Sequence, residues 1–585
     1  MKTPILVLVV AVLAASASLA LDVPGSARDI ALNDNRTPAG VLDRGVLTVA
    51  LVANRGVWYP EGKEAPGLDV EAFAVDGRTP TAPGPLLRVP AGTELRVSVR
   101  NELLLPLTVH GLGAARLVVS PGATGRATFI ARAPGTSFYW ATTTGAELGK
   151  RNTDDSELNG AIVVDPPGAR ASDRIFVLSH HYNNQFEVWA INGASWPATE
   201  RLFYTVGDAV RWRWINASDE EHPLHLHGHY FRVDDDDRLV ATQVVASGAA
   251  RILSWVPDRA GNWLFHCHIL FHVAPELHLA PPMSEHDMHD PLHHMAGLVL
   301  GITVAPRPGV ALSPDSTPVR RLRLVVGERP GVRYGDVPGL GYAVAESDAG
   351  PAEVTAPGTP IVLARGQPVE IIVENRLATA TSVHWHGIEL ESYYDGVPGW
   401  TGSEGHLSPA IEPGGTFVAR FAPPRAGTFI YHTHLDDYRQ LSTGLYGALI
   451  VVDPATAYDP ATDKVFVFSS DGVDNDVLVI NGSVRPAPLE LMTGVTYRLR
   501  FVGITPADNV TIALTRDGTP VTWRALAKDG ADLPITEQTD IPAQLSLAPG
   551  ETYDFALRID SPADLRLAAI ELVEKANANV ELLVR

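Results

Sequence analysis

Three stretches of the chain align with one another without gaps: PGTSFYWAT from Pro134, AGNWLFHCH from Ala260 and AGTFIYHTH from Ala426. Each is a glycine turn followed by an aromatic-rich strand. The tails of two of them agree as well, ELNGAIVVDP ending at Pro166 and GLYGALIVVDP ending at Pro454. A second repeat pairs WAINGASWP from Trp189 with LVINGSVRP from Leu478, and a short element recurs as TVHG at Thr108, LHLHG at Leu224 and VHWHG at Val383. Self-similarity on this scale marks a duplicated unit. The repeated unit is built of short strands, and 51 glycines and 46 prolines in 585 residues supply the turns between them. The pattern predicts an all-β chain of four β-sandwich domains in two pairs, over about 22–168, 172–310, 318–456 and 463–585. The joins DPPGARAS, APRPGVALSPDSTP and DPATAYDPATD are rich in Pro, Asp and Ser, as linkers are. Domains one and three read as sisters, as do two and four.

The first twenty residues, MKTPILVLVVAVLAASASLA, have one early lysine, an apolar run and a small-residue end, which reads as a secretory signal over 1–20. The run is short for a membrane span, so the expectation is an exported, soluble protein, periplasmic or secreted. A formal net charge of -21 argues against nucleic acid or an anionic membrane as partner. Oxidising compartments favour disulfides, yet the chain has a single cysteine, Cys267, and it lies between two histidines.

Histidines cluster in four His-x-His pairs: His225 with His227, His266 with His268, His384 with His386, and His432 with His434. Residues two apart on a strand face the same way, so each pair presents two imidazoles side by side. Eight imidazoles exceed what one tetrahedral zinc uses. Imidazole with thiolate suits copper, zinc or iron. Strand alternation turns Cys267 away from His266 and His268. Its thiolate can bind one metal while the histidines bind others behind it, which makes the strand a covalent wire between centres. Cys267 with His222 and His272 matches the ligand set of a blue-copper electron-transfer site.

These motifs together resemble the multicopper oxidases, the laccase-like family built from Greek-key cupredoxin sandwiches. The resemblance implies about four copper ions. A type 1 copper falls on His222, Cys267 and His272, and a type 2 copper on His225 and His384. A type 3 pair falls on His227, His266, His268, His386, His432 and His434. It implies one-electron oxidation of a small reducing substrate coupled to reduction of O2 to water. Asp395, in YYDGVPGW, resembles a carboxylate that assists proton delivery near the type 2 copper, although Asp-Gly is also ordinary turn chemistry. His229 reads as a supporting residue rather than a ligand.

The chain departs from the family pattern in several places. The motif order is permuted, with HCH first, which places the cluster between domains two and three, or between subunits. Domain one has Thr108, Trp140 and Thr142 where histidines would stand and keeps only His110; domain four has NVTIAL from Asn509. Both read as structural. Phe271 replaces a glutamate that many relatives carry, which opens the question of the proton path. The axial type 1 position falls on Leu277 by spacing or on Met295 by the strand-like HMAGLVLG, and Met295 is favoured. The segment between them, LHLAPPMSEHDMHDPLHHM, reads as a loop that either shields the copper or captures a metal ion. Asp219, Glu220 and Glu221 precede His222 and add negative potential there. Three functions fit: oxidation of phenols or aromatic amines, oxidation of Cu(I), Fe(II) or Mn(II) in metal tolerance, and copper binding without turnover. A complete cluster set argues against the last, since storage needs no thiolate wire.

Overall fold

A computed structural model describes residues 28–168, 172–274, 279, 295–307, 319–346, 353–456, 458–474, 477–571 and 576–585. The expected leader over 1–20, Leu277 and most of the loop that follows it lie outside the described residues. Strands dominate the chain. Among the described residues the one α-helix is Asp437–Ser442, and no helix is long and apolar enough to cross a membrane.

Among the described residues the strands form eight sheets, two to each of four successive units. The same two parallel pairings recur in every unit. In one sheet, Val46–Trp58 runs parallel to Glu94–Asn101, Arg174–Tyr182 to Val210–Asn216, Arg320–Tyr334 to Val369–Asn375, and Asp463–Ser470 to Thr496–Gly503. In the other, Gly84–Pro90 runs parallel to Asn159–Asp165, Arg201–Thr205 to Val299–Ala305, Gly358–Ala364 to Tyr446–Val452, and Leu489–Leu491 to Asn577–Val584. Parallel neighbours require crossover connections, and here each crossover passes between the sheets, so each unit is a sandwich rather than a run of hairpins. One apolar core fills each sandwich with side chains from both sheets. The second unit is the most aromatic: Trp189, Trp196, Trp212, Trp214 and Trp263 are all fully buried.

The repeated Ile-Asn-Gly has a physical cause. Asn192 and Asn481 both sit at a φ of 52°, a conformation that asparagine tolerates better than most residues. The Asn192 side chain receives the Val177 N–H and donates to Ile175 O, and Asn481 does the same with Val467 and Val465. Each asparagine locks a tight turn back onto the first strand of its own sandwich.

Units one and two meet through Leu86, Ala161 and Val163 against Ile175, Val177 and Ile215. Units three and four meet at matching places, through Ile430, Tyr446 and Ala448 against Val467, Val502 and Ile504. Units two and three are joined by a strand contact at Asn262 and Gly402, and by the Trp400 indole donating to Trp263 O at 3.0 Å. The fourth unit reaches back to the second. Lys528 Nζ, buried, pairs with Glu551 at 2.7 Å and donates to Thr242 O, while Asp529 accepts the backbone N–H groups of Ala241 and Thr242. Removing one member of such a pair leaves an uncompensated buried charge, at a cost of about 3–5 kcal/mol. Lys528→Met is therefore expected to lower the melting temperature clearly, and K528M/E551Q to recover part of the loss, as read by calorimetry.

Candidate metal centre

The strand His222–Leu226 pairs antiparallel with Gly261–Cys267, placing Leu224 opposite Cys267 and His225 opposite His266. Alternation then sorts the side chains. Trp263, Phe265 and Cys267 point into the core of the second sandwich with Leu224 and Leu226, while His225, His227, His266 and His268 face the third unit. His222 shares the inward face, and His272 follows on the short turn Leu270–His272. Cys267 Sγ lies 3.7 Å from His222 Nδ1 and 3.3 Å from His272 Nδ1, and the two nitrogens are 3.0 Å apart. All three residues are buried.

The far nitrogens set the tautomers. Ser218 Oγ, which donates to Asn216 Oδ1, accepts from His222 Nε2 at 2.8 Å; Glu220 Oε2 accepts from His272 Nε2 at 3.1 Å. Both Nδ1 lone pairs are left aimed at the sulfur. Burial lowers the pKa of His222 well below the ordinary value and brings His272 down to about 3, so both rings are neutral. Burial also raises the Cys267 thiol well above its usual range. A thiolate in this apolar pocket therefore needs a cation beside it. Met295 is buried in the same core cluster as Cys267. Its neighbours Ala296 and Leu298 donate to Val273 O and His272 O, which ties its segment to the His272 turn.

Behind this pocket, the strand His384–His386, paired with Gly427–His432, brings the other histidines across from the third unit. All eight imidazoles converge within one chain, so no second subunit is needed to complete the set. His227, His266 and His434 group with ring centroids 5.0–5.4 Å apart. His268, His386 and His432 group at 4.8–5.8 Å. His225 and His384 are 5.9 Å apart between them. His227 also approaches His225 and His384, so ligand atoms of these three rings lie within 4.8 Å of one another.

Most Nδ1 atoms are committed to oxygen. His225 donates to Ala241 O, His266 to Cys267 O, His384 to Asp395 O and His432 to Thr433 O, over 2.6–2.9 Å. The Nε2 atoms of His225, His268, His384, His386, His432 and His434 are buried with no hydrogen-bond partner. Burial first, then crowding by neighbouring rings, holds His225, His227, His268, His386, His432 and His434 far below their ordinary pKa. Buried unpartnered acceptors are costly, and several converging on one space fit metal cations that take their lone pairs.

Asp395 is fully buried and sits between two of these rings. Its Oδ2 accepts from His227 Nδ1 at 2.8 Å and its backbone oxygen accepts from His384 at 2.7 Å. It follows the short turn Ser392–Tyr394, so turn chemistry and contact with the cluster coexist at this residue. His229 donates to His227 O and packs against Trp255 and Trp263, away from the group. Ser218 and Asp437 escaped the sequence, and Glu220 was read only as negative charge near His222. Ser218 and Glu220 fix the tautomers at the sulfur site. Asp437, on the helix after HTH, has its carboxylate 3.8 Å from His434 Nδ1. Phe271 packs on the neighbouring Tyr438. In the first unit Thr142 instead hydrogen-bonds Asp155 and His110 stacks on Trp140, while in the fourth Asn509 bonds Glu221.

Residues 171–281 and 352–456 each match a family model described as multicopper oxidase. The chain is 29% identical over 242 residues to a "Probable nitrite reductase-hydroxylamine oxidoreductase fusion protein" of Kuenenia stuttgartiensis, covering 35% of this chain and 28% of that protein. It is 41% identical over 95 residues to "Copper resistance protein A" of Pseudomonas syringae pv. tomato, covering 16% and 14%. It is 32% identical over 175 residues to "Laccase-1" of Botryotinia fuckeliana, covering 25% and 29%. The chain thus spans less than a third of the length of each of these relatives. Its second and third units are the parts that match multicopper oxidase models, and the likeness to that family rests on them.

Two outcomes follow from the packing and the protonation of the cluster. Gly550, in the fourth unit, has a φ of +80°, and a Cβ there would sit 2.7 Å from the His268 ring and 3.0 Å from His386 Nε2. Gly550→Ala is expected to displace these rings and lose copper from the cluster while the cysteine site keeps its own, as read by metal analysis with absorption spectroscopy. The metal-free protein should lose stability as the pH falls below about 6.5, because the unfolded chain takes up protons that the buried rings refuse. Copper loading should flatten that loss, measured by denaturation at successive pH values.

Proposed function

We propose that this protein is a multicopper oxidase that couples one-electron oxidation of a small reductant to reduction of O2 to water. His222, Cys267 and His272 would hold a type 1 copper, with Met295, buried in the same cluster, as the further candidate ligand. The type 2 ion is assigned to His225 and His384. The type 3 pair is assigned to the His227, His266, His434 and the His268, His386, His432 groups. One observation carries the reading: Cys267 faces one group of ligands while its two peptide neighbours, His266 and His268, face the other.

Copper, when bound, supplies reversible one-electron chemistry at both places. The residues supply the rest. The Cys267 backbone links the two centres covalently, so transfer needs no diffusing carrier. Burial of all the ligands keeps water from the thiolate. Asp395 holds His227 and His384 through fixed hydrogen bonds and is placed to hold a proton beside the cluster. Glu220, about half exposed, hydrogen-bonds the His272 ring and connects it to the surface.

Two reductant classes fit. Phenols and aromatic amines are the leading one, supported by similarity to a laccase. Glu220, exposed at His272, is an acidic lip that favours a cation such as Cu(I) or Fe(II). The similarity to a copper resistance protein leans the same way. Export, and with it an extracytoplasmic place of action, is part of this proposal and rests on the N-terminal apolar run.

Cys267→Ser is expected to abolish the intense blue absorption and substrate oxidation while cluster copper persists. A variant that stays blue would refute the assignment. Metal analysis of the native protein should give about four coppers per chain. Side-by-side kinetics with a phenol set, Cu(I) and Fe(II) separate the two classes: Glu220→Gln should depress metal-ion oxidation several-fold more than phenol oxidation if the lip receives cations.

A further inference from the structure

His180 lies outside all the ligand sets. His180, on the strand Arg174–Tyr182, is directly opposite Trp189 on Glu187–Ile191. Cross-strand partners on one face are held close by the ladder, and these two rings stack at 3.6 Å with an interplanar angle of 4°. Trp189 is fully buried and also packs against both type 1 imidazoles, at 3.9 Å from His272 and 5.3 Å from His222. A single indole therefore separates His180 from the copper ligands.

His180 faces two carboxylates, one hydrogen-bonded to Nδ1 and the other at ion-pair distance from Nε2, a buried nitrogen without a hydrogen bond. Asp219 Oδ1 lies 2.8 Å from Nδ1 and Glu187 Oε1 lies 3.5 Å from Nε2. Neutral imidazole has one N–H; only the imidazolium offers one to each side. Burial disfavours that charge, but the two carboxylates outweigh it and raise the pKa of His180. The groups around this ring are Asp219 from its loop, Glu187 and Trp189 from the paired strand, Tyr182 on its own strand at 6.5 Å, and, further off, Glu220 and the imidazoles of His222 and His272; Asp219 is itself held by Asn152 at 2.9 Å. The loop is shared with the metal site. Ser218 holds His222, Asp219 holds His180 and Glu220 holds His272, so three consecutive residues fix three imidazoles around one tryptophan.

We propose that His180 and Trp189 are a positioning pair for the type 1 site: a cationic ring on one side of the indole that fixes His272 on the other and favours the reduced copper. This rests on the assignment of type 1 copper to His222, Cys267 and His272. A positive charge near the metal stabilises Cu(I) relative to Cu(II), because the reduced ion carries one charge fewer. The indole face accepts the cation favourably and excludes water from between the two centres.

The test is spectroelectrochemical titration of the blue absorption in copper-loaded full-length protein. His180→Phe keeps a flat ring on Trp189 and removes the charge. Its equilibrium constant for reduction should fall about tenfold, the size expected for one charge about 10 Å from the metal at an effective dielectric constant of about 20. Copper content and the shape of the blue band should hold. His180→Arg restores a planar cation that stacks on tryptophan and should recover most of the shift. In metal-free protein, nitrogen NMR should show both His180 nitrogens protonated at pH 7. An unshifted potential in His180→Phe, a His180→Arg potential that stays at the His180→Phe value, or a neutral His180 at pH 7 would overturn the proposal. His180→Gln serves if the phenylalanine variant does not fold. Native protein that is not blue would instead sink the copper assignment on which the proposal rests.

Discussion

The two-residue period of one strand governs the rest of this molecule. Gly261–Cys267 must bury Trp263, Phe265 and Cys267 in its own sandwich, and the same pleat then throws His266 and His268 outward. No rotation of the strand satisfies the core without presenting those histidines to a neighbour. The paired strand repeats the choice, His222 in and His225 and His227 out. Two metal pockets back to back are the direct result, separated by a single backbone. The third unit is bound by this geometry: its own His-x-His pairs must arrive at the outward face, which fixes how the two sandwiches dock.

Such an arrangement is unfavourable without metal. Eight imidazoles share one dry space with bare acceptor nitrogens, and crowding adds to the penalty for charging any of them. The protein holds five of them, His225, His227, His266, His384 and His432, through the opposite nitrogens, with backbone carbonyls and Asp395. The ring orientations are therefore set before a cation arrives. At the sulfur pocket the tautomers are reversed: side chains hold Nε2 and the free lone pair is on Nδ1. A substitution at Ser218 or Glu220 acts on a proton position rather than on a ligand.

Periodicity made much of this legible in the sequence. The repeats AGNWLFHCH and AGTFIYHTH, and the Ile-Asn-Gly turns, carry a pattern that any strand of two faces imposes on its residues. The opposed faces of Cys267 and its neighbours followed from the same logic, whereas the pairing of His225 with His384 was implied by the resemblance to the multicopper oxidases. What was illegible lies on approaches between elements distant in sequence. Gly550 meets His268 only because Lys528, Asp529 and Glu551 dock the fourth unit on the strand Thr242–Val245. Trp189 meets His272 only because the first hairpin of the second sandwich folds over the His272 turn. Neither approach leaves a periodic trace. Asp219 and Glu220 were readable as negative charge before His222, but not as separate partners of two different imidazoles.

The units without metal motifs are explained by the same interfaces. The first unit has Thr142 bound to Asp155, where the third has His434 facing the cluster, so hydrogen bonds replace the lone pairs that a metal would have taken. The fourth unit gives the cluster no ligand, yet it closes the space behind His268 and His386 and bonds Thr242 beside His225. Each unit pairs with the next through matching sheet faces, one with two and three with four. The members that carry the clustered histidines and Cys267 are then the inner ones, two and three. A repeat laid out this way can lose ligands at its outer units with little consequence, because those units still supply the walls. It cannot lose them at the inner face, where each imidazole would leave its neighbours without the cation that they share.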